Sequence, residues 1–260
     1  MREKVTVITG ASSGLGRRFS LDFAEAGAVV IGLARRADLL RTLEGELRAR
    51  SPASETVVCD VSDVDGFTST LREVEERHGR IDVLVNNAGM GETGDAADLA
   101  FHRQVMEINY FAAVAGTLAV LPGMRERGTG VVVNVSSDSG RAPGPREIAY
   151  GASKAALSAF SESVAFRVEG SGVHVHVLYP GWVPTPMGQG AVDAGMPTPP
   201  RMVRRTEEQI SDLLISRMGR RKVDIDATLA ARFAPAARVL FPGPYRRSLR
   251  RAAGLARPRR

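Results

Sequence analysis

The chain alternates short, β-branched apolar runs with longer stretches of helical periodicity, and this alternation restricts its fold more than any other feature. Runs that are apolar at nearly every position are typical of strands covered on both faces of a parallel sheet. We predict strands near Val5–Thr9, Val29–Leu33, Thr56–Cys59, Val83–Asn86, Val131–Val135, Val173–Leu178 and Lys222–Ile225. We predict helices over Gly14–Ala26, Arg36–Ala49, Val64–His78, Leu99–Arg127, Tyr150–Gly170 and Glu207–Met218. The pattern therefore predicts an α/β sheet with helices on both faces.

A proline- and glycine-rich segment interrupts the alternation after the sixth predicted strand. Residues 184–202 contain five prolines, which disfavour regular structure. A long irregular segment in a compact domain is usually a lid or a disordered loop, and we predict a substrate lid at about residues 184–205. Since no internal repeat or linker divides the rest, we predict one domain over residues 1–226 and an extension over residues 227–260.

The extension carries the basic charge of the chain. The net charge is +6, and nine arginines but no acidic residue follow Asp226. Removing those nine from the 35 basic residues leaves 26 against 29 acidic ones, so the body carries −3. Tyr245–Leu255 could form a basic amphipathic helix at an anionic membrane surface, or the extension could be a frayed, solvated terminus. The arginines lack interleaved aromatic residues, so we expect no nucleic-acid partner.

Other counts argue against several classes of protein. Cys59 is the one cysteine, which excludes an intrachain disulfide and a cysteine-based zinc site and fits a reducing compartment. None of the four histidines has the HExxH spacing, so we expect no metal; His174 and His176 fit a strand. No apolar run reaches the roughly 20 residues of a membrane span. We interpret Phe111–Leu121, the nearest to one, as a buried helix face, and we expect a cytoplasmic protein, peripheral to a membrane at most through its extension.

A glycine-rich turn, Thr9-Gly10-Ala11-Ser12-Ser13-Gly14-Leu15-Gly16, follows the first strand and opens the first helix. Glycines allow a tight turn and a close approach of the backbone, and the helix N-terminus attracts a pyrophosphate. At a strand-to-helix junction in an alternating chain, this turn indicates a dinucleotide site. The alternative is a purely structural turn between a strand and a helix.

The end of the second strand indicates which dinucleotide is bound. A fold that binds NAD has an acidic residue here for the ribose hydroxyls, whereas this chain has Ala34 followed by Arg35 and Arg36. Arginine suits a phosphate because its guanidinium is planar and permanently charged. We therefore predict NADP(H), with Arg35 on the 2′-phosphate and Arg36 as a helper. The alternative is that both are solvated residues at a helix start, where cations are disfavoured without an anion.

Tyr150 and Lys154, at i and i+4, project from one helix face. A cation beside a phenol favours the phenolate, so we expect Lys154 to lower the pKa of Tyr150. Such a phenol exchanges a proton with a carbonyl or alcohol oxygen. Polar residues at other strand ends, including Asp60, Asn87 and Ser137, belong to the same carboxyl edge of the sheet.

Together these motifs resemble those of the short-chain dehydrogenase/reductase family. The matching elements are TGASSGLG at 9–16, NNAG at 86–89, Asn109, Ser137, YGASK at 150–154 and PGWVPT at 180–185. The resemblance covers residues 1 to about 190. It implies a doubly wound Rossmann fold with a seven-stranded parallel sheet in the order 3-2-1-4-5-6-7, and nicotinamide-dependent oxidoreduction.

The resemblance also implies roles for individual residues. Tyr150 would be the acid/base, Lys154 would bind the nicotinamide ribose, and Ser137 would hold the substrate oxygen, with Ser136 the weaker candidate. Asn109 would hold a water of the proton relay behind Lys154. The remaining cofactor contacts would come from Gly10, Ser12, Ser13, Gly14, Leu15, Gly16, Arg35, Arg36, Asp60, Val61, Asn87, Ala88, Gly89, Pro180, Gly181, Val183 and Thr185.

Met90, Trp182 and Met187 are the candidate substrate contacts, together with Ser137 and Tyr150. Apolar groups with few charges favour an apolar ketone or alcohol, such as a lipid, terpenoid or steroid-like molecule, although methionine and tryptophan fill cores as often. Two arginines, Arg141 and Arg146, could attract an anionic part of the substrate or be exposed loop charges.

Two alternatives concern activity and assembly. The chain could reduce a 3-oxoacyl group bound to a carrier protein or to coenzyme A, or it could sense NADP(H) without turnover. Residues 220–226 lack the glycine-rich closing strand of many carrier-protein reductases, and a sensor has no need of Asn109, Ser137, Tyr150 and Lys154 together. We expect a homodimer rather than a tetramer, through helices Leu99–Arg127 and Tyr150–Gly170. Phe111–Gly116 would lie at that interface, unless it is buried against the sheet.

Overall fold

The computed structural model describes residues 1–252, which form one sheet with helices on both faces. Its strands are β1 Val5–Thr9, β2 Val29–Ala34, β3 Glu55–Val58, β4 Val83–Asn86, β5 Gly130–Val135, β6 Val173–Tyr179 and β7 Asp224–Asp226. Its helices are α1 Gly14–Glu25, α2 Ala37–Arg50, α3 Val64–His78, α4 Leu99–Met106, α5 Ala112–Glu126, α6 Asp138–Arg141, α7 Ile148–Arg167, α8 Pro186–Asp193, α9 Glu207–Arg217, α10 Leu229–Leu240 and α11 Pro242–Ala252. Every neighbouring pair of strands is parallel, in the order β3-β2-β1-β4-β5-β6-β7. The predicted doubly wound α/β fold is thus confirmed.

Successive side chains of the central strands enter two separate cores. Ile8 of β1 points to the layer of α1, α2 and α9, whereas its neighbour Val7 points to the layer of α3, α5 and α7. Both residues are fully buried, as a strand covered on both faces requires. This double burial explains why the strands read as continuous apolar runs in the sequence. The parallel pairing of β1 with β4 and of β4 with β5 places the carboxyl ends of these three strands side by side.

The predicted helix Leu99–Arg127 is continuous but not uniform. Between α4 and α5 lies a π-helical turn, Glu107–Phe111, whose buried residue is Asn109. By length and composition alone, Leu99–Glu126 could cross a membrane, contrary to our expectation from apolar runs. A helix packed in the core passes the same test, and α5 lies against β4, β5 and α3.

The small-residue stretch Phe111–Gly116 divides between the core and the surface. Ala112, Ala113 and Gly116 are buried, and Gly116 has no room for a Cβ, which would lie 2.9 Å from the ring of Phe67. Phe111 is exposed on the outer side of the helix. The inner side of this stretch is therefore buried within the subunit, as the second interpretation proposed. Only the outer side could contact another subunit.

Two segments are more regular than the prolines predicted. Residues 186–193 form α8, because Pro186 occupies the first turn and Thr185 caps the helix through a hydrogen bond from Gly188 N. Arg201–Val203 form a 3₁₀ turn. In the extension, α10 and α11 continue through residue 252, so its described part is helical and not frayed. Residues 253–255 of the predicted tail helix lie outside the described residues.

Candidate active site

A cavity of about 760 Å³ lies along the carboxyl edge of the sheet. It is a single space that runs from the loops after β1 and β2 to the lid around α8. Most of the residues predicted for cofactor binding or catalysis line it: Gly10, Ser12, Ser13, Gly14, Leu15, Arg35, Arg36, Asp60, Val61, Asn87, Ala88, Gly89, Ser137, Tyr150, Lys154, Pro180, Gly181, Val183 and Thr185. Gly16, Asn109 and Met90 do not line it.

At one end of the cavity, the N-terminus of α1 offers unsatisfied backbone N–H groups. Ser13 is the N-cap residue, but its side chain makes no capping hydrogen bond, and the first turn contains no acidic residue. Gly10 has φ +70°, and a Cβ there would lie 2.9 Å from Asn87 Nδ2. Gly16 faces inward, where a Cβ would collide with the carbonyl group of Gly10. This end fits the pyrophosphate of a dinucleotide, because a bare helix N-terminus favours an anion.

The two arginines after β2 have different positions. The guanidinium of Arg36 donates to Ser12 Oγ at 2.8 Å and to Ser13 Oγ at 2.7 Å, so it lies across the glycine turn. Arg35 is two-thirds exposed and its nearest acidic partner is Asp60, at 3.7 Å. The structure thus positions Arg36 more firmly than Arg35, the reverse of the order expected from the sequence.

The ends of β1 and β4 are joined beneath the middle of the cavity. Thr9 Oγ1 accepts hydrogen bonds from the backbone N–H of Asn87 at 3.0 Å and of Ala88 at 2.9 Å. The Asn87 side chain donates to the carbonyl oxygen of Thr9 at 2.9 Å. These bonds fix the NNAG segment against the glycine turn, which holds Ala88 and Gly89 at the cavity wall.

Tyr150 and Ser137 both line the inner wall of the cavity. Burial of the phenol raises the pKa of Tyr150 to about 12, while the Ser137 hydroxyl group acts in the opposite direction and the charges of Glu147 and Asp138 add to the rise. Ser137 also caps α6 by accepting from Ser139 N at 3.2 Å, which fixes its side chain. Ser136 points away, to Ser158 Oγ and the Lys154 carbonyl oxygen, as the alternation of the strand predicts.

Lys154 lies beneath Tyr150 with its side chain almost fully buried. Its Nζ donates to the carbonyl oxygen of Val135 at 2.8 Å and lies 5.8 Å from the centre of the Tyr150 ring. Burial lowers the pKa of Lys154 to about 8. The expectation that Lys154 lowers the pKa of Tyr150 is wrong for the protein alone, because the pKa of Tyr150 is raised and desolvation of the phenol is the largest cause.

Asn109 holds the chain beside this pair rather than lining the cavity. Its side chain accepts from Met90 N at 2.8 Å and donates to Met90 O at 2.9 Å and to Ser153 Oγ at 3.0 Å. A Cβ on Gly89 would lie 3.1 Å from Asn109 Oδ1 and 3.5 Å from Lys154 Nζ, so Gly89 lies between the two. Met90 was expected to contact the substrate, but it does not line the cavity. Its side chain packs instead with a small cluster on α4 and α7.

The lid closes the other end of the cavity. Trp182 and Met187 line it, as predicted, beside the small residues of α8 and the prolines that follow. Thr185, at the start of α8, faces the glycine turn: a Cβ on Gly14 would lie 3.1 Å from its Cγ2. Trp182 also forms a parallel bridge with Arg204, so the two ends of the lid are joined at its base.

Two carboxyl groups line the cavity near Tyr150 that sequence reasoning missed, those of Glu92 and Glu147. Glu92 accepts from Tyr150 N at 2.8 Å, and Glu147 accepts from Ser139 Oγ at 2.6 Å. Burial raises the pKa of Glu147, the Ser139 hydrogen bond opposes this, and the nearby Glu92 adds to it. The position of Glu147, three residues before Tyr150, is the one signal that could have indicated it.

Arg141 does not serve the cavity, in contrast to the suggestion of an anionic handle. Its guanidinium pairs with Asp224 at 2.6 Å and with Asp226 at 2.5 Å, and it lies 3.4 Å from the centre of the Tyr179 ring. This ion-pair cluster ties α6 to β7. Arg146 is exposed and donates to the carbonyl oxygen of Gly195 in the lid, at 3.3 Å.

Comparison with known proteins gives one consistent family. The family model described as short chain dehydrogenase matches residues 4–194. Dehydrogenase/reductase SDR family member 7B of Danio rerio is 40% identical over 74% of this chain and 65% of that protein, and the Mus musculus protein of the same name is 34% identical over 94% and 80%. The chain thus spans slightly less than two thirds of the Danio rerio relative's length.

Solved structures agree with this similarity. A short-chain dehydrogenase from Streptomyces avermitilis has a TM-score of 0.78 and 29% identity, covering 96% of this chain and 95% of that one. L-sorbose reductase from Gluconobacter frateurii, complexed with NADPH and L-sorbose, has a TM-score of 0.78 and 26% identity, covering 88% and 97%.

Proposed function

The chain belongs to the short-chain dehydrogenase/reductase family of oxidoreductases, which use nicotinamide cofactors, and on that basis we propose that it interconverts a ketone and a secondary alcohol with NADP(H). The observation that carries this proposal is that Ser137, Tyr150 and Lys154 line one cavity whose far end is the bare N-terminus of α1. A proton donor and an anion-binding site in one cavity suit a hydride transfer that needs one proton.

The cofactor, when bound, supplies or accepts the hydride. The chain's own part begins with Ser137, which holds the carbonyl oxygen of the substrate beside the hydroxyl group of Tyr150. With a pKa of about 12, the phenol is protonated at neutral pH and can donate its proton to an alkoxide oxygen. The ammonium group of Lys154, fixed by the Val135 carbonyl oxygen, favours the phenolate that remains after the transfer.

The preference for NADP(H) rests on the residues after β2. The side chain of Ala34 cannot accept a hydrogen bond from a ribose hydroxyl group, and Arg36 is held over Ser12 and Ser13 beside the anion site. Charge-assisted hydrogen bonds from a planar guanidinium recognise a phosphate well. The similar L-sorbose reductase was solved with NADPH, which supports the same choice for this chain.

The lid supports an apolar substrate. Beyond Tyr150, the wall consists mainly of Trp182, Met187 and the small or apolar residues of α8 and the segment that follows it. The two carboxyl groups at this end already accept hydrogen bonds from the protein, and neither offers a positive charge to an anionic substrate. An uncharged lipid, terpenoid or steroid-like ketone suits this wall better than an anionic one does.

The mechanism is tested by Tyr150→Phe, which removes the proton donor and keeps the ring. We expect kcat for ketone reduction to fall about 10²- to 10⁴-fold, the usual contribution of a general acid, with the Kd for NADPH changed less than about twofold. The assay follows NADPH absorbance over a panel of apolar ketones, and a 3-oxoacyl thioester in the panel tests the alternative substrate. Near-normal turnover by the variant would contradict the role of Tyr150.

We also propose a homodimer through the outer faces of α5 and α7. Leu118 is exposed on α5, Phe111 is exposed in the π-helical turn just before it, and Phe166 is exposed on α7. Large exposed apolar side chains on neighbouring helices are typical of subunit contacts. Analytical ultracentrifugation of wild type and Leu118→Glu tests this, with a monomeric variant expected and an unchanged mass contradicting it.

A further inference from the structure

The helices of the extension carry an exposed apolar stripe and exposed arginines. Four residues of α10 at spacings i, i+4, i+7 and i+11 form one stripe, which Phe241 continues: Leu229, Phe233, Ala236, Leu240 and Phe241. The large ones are 57 to 72% exposed. Arg232 lies beside the stripe, and Arg246 and Arg247 are exposed on α11. We name these eight residues the C-terminal face.

The stripe is exposed because the opposite side of α10 is already used. Ala231 is fully buried, and its carbonyl oxygen accepts from Arg141 Nη1 at 3.1 Å. Arg238 lies on the same inner side and reaches the Arg141 carbonyl oxygen at 3.5 Å. The helix is thus attached to the body through α6, and its apolar stripe is left facing outward.

The charge of the extension determines which partner fits. No acidic residue occurs in residues 227–260, while nine arginines do. In a two-fold symmetric contact the same surface meets itself, so arginines would face arginines without a carboxylate to pair with them. An anionic lipid surface, in contrast, accepts both parts: the apolar side chains enter the interface and the arginines meet the headgroups.

We propose that the C-terminal face docks the protein on an anionic membrane surface. The contact is peripheral, because the stripe covers about three turns of one helix face and the opposite side of α10 is attached to the body at Ala231. The C-terminal face also lies close to the cavity, which Gly181 lines. A Cβ on Gly181 would lie 2.8 Å from the side chain of Thr228, the N-cap of α10, and 2.8 Å from the carbonyl oxygen of Val203 in the lid. Docking therefore brings the base of the lid near the lipid, whatever the substrate is.

Vesicle co-sedimentation of the full chain tests this proposal. The vesicles are phosphatidylcholine alone or with about one third phosphatidylglycerol, at about 0.05 M and about 0.5 M NaCl. We expect binding only to the anionic vesicles, and weaker binding at high salt. The double variant Phe233→Ser, Leu240→Ser should weaken binding at least about tenfold, because two apolar side chains that would enter the lipid are lost. Arg246→Ser with Arg247→Ser should weaken it about fivefold per arginine.

Matched controls remove the same chemistry elsewhere on the surface. Val58→Ser takes an exposed apolar residue from β3, at the opposite edge of the sheet from β7. Arg41→Ser with Arg72→Ser removes two exposed arginines outside the extension, and both controls should bind like wild type. Circular dichroism melting verifies that every variant is folded.

Three results would overturn the proposal. The first is equal binding by wild type and both C-terminal-face variants, and the second is equal binding to neutral and anionic vesicles. The third is absence of binding to any vesicle. In that case, the Phe233→Ser, Leu240→Ser variant is tested for loss of an oligomer in ultracentrifugation, and the arginine variant for loss of affinity for duplex DNA. The face would then be a subunit or nucleic-acid interface.

Discussion

Replacing Lys154 with methionine should abolish activity and stabilise the fold. Lys154 is 4% exposed, and burial lowers the pKa of its ammonium group from the ordinary 10.5 to about 8. At 1.36 kcal/mol per pKa unit, keeping this buried group charged lowers the free energy of unfolding by about 3 kcal/mol. Methionine has a similar length and fills the space without the charge. The Val135 carbonyl oxygen loses a donor, which costs about 1 kcal/mol, so the net gain is about 2 kcal/mol.

The sign of the pH dependence follows from the direction of the shift. Between about pH 8 and 10.5, Lys154 is protonated in the unfolded chain but not in the folded protein, so stability of the wild type rises with pH in this window. The advantage of Lys154→Met is therefore full below about pH 8 and shrinks above it. The raised pKa of Tyr150 acts above pH 10, where it lowers the stability of both proteins alike.

Thermal melts at about pH 7 and about pH 9.5 measure this effect. For a chain of this size, about 2 kcal/mol raises Tm by about 4 to 8 °C at the lower pH, and the difference should be clearly smaller at the higher pH. Lys4→Met, at the partly exposed N-terminus, is the matched control and should leave the pH dependence unchanged. A variant less stable than wild type at pH 7, or a gain independent of pH, would refute the reasoning.

Three further predictions concern cofactor affinity, the pKa of Tyr150 and the hydrogen bonds of Asn109. Arg36→Ala should raise the Kd for NADPH about 10- to 150-fold, the worth of a hydrogen bond to a charged group, with little change for NADH. Glu147→Gln keeps an acceptor but removes a negative charge near Tyr150, so the pKa of Tyr150 falls and the pH profile of alcohol oxidation shifts to lower pH. Asn109→Ala removes three hydrogen bonds from a buried side chain, and the free energy of unfolding should fall by about 3 kcal/mol in denaturant titrations.

Controls separate each effect from a general one. Arg41→Ala, on the exposed side of α2, should leave both cofactor affinities unchanged, and Glu126→Gln should leave the pH profile in place. Equal losses of NADPH and NADH affinity in Arg36→Ala would mean that this side chain only supports the glycine turn. An unshifted profile in Glu147→Gln, or unchanged stability in Asn109→Ala, would contradict the corresponding contact.

Features that depend on local sequence were predicted well. The carboxyl ends of parallel strands meet at one edge, so the residues after β1, β4 and β5 had to converge once the strands were recognised. The i, i+4 spacing likewise placed Tyr150 and Lys154 on one side of α7. Pro186 misled the prediction because proline in a first helical turn favours the helix, provided that a residue such as Thr185 caps it.

Features that depend on distant parts of the chain were not predictable. Arg141 stands nine residues before Tyr150 in sequence, which suggested a role at the substrate, yet its carboxylate partners Asp224 and Asp226 come more than eighty residues later. Only the pairing of β6 with β7 brings them within reach. The exposure of Phe233 and Leu240 has the same origin, since it depends on which side of α10 the body occupies.

The electrostatics of the catalytic pair show this limit most clearly. From spacing alone, the cation should lower the pKa of the phenol, whereas burial shifts both groups toward their neutral forms, with Tyr150 at about 12 and Lys154 at about 8. Below pH 8 the protein alone therefore combines a protonated phenol with a protonated amine. This state suits donation of a proton to an alkoxide and opposes removal of a proton from an alcohol. For the proposed reaction, we therefore expect the rate of alcohol oxidation to rise with pH, because removal of a proton from the alcohol needs the deprotonated phenol.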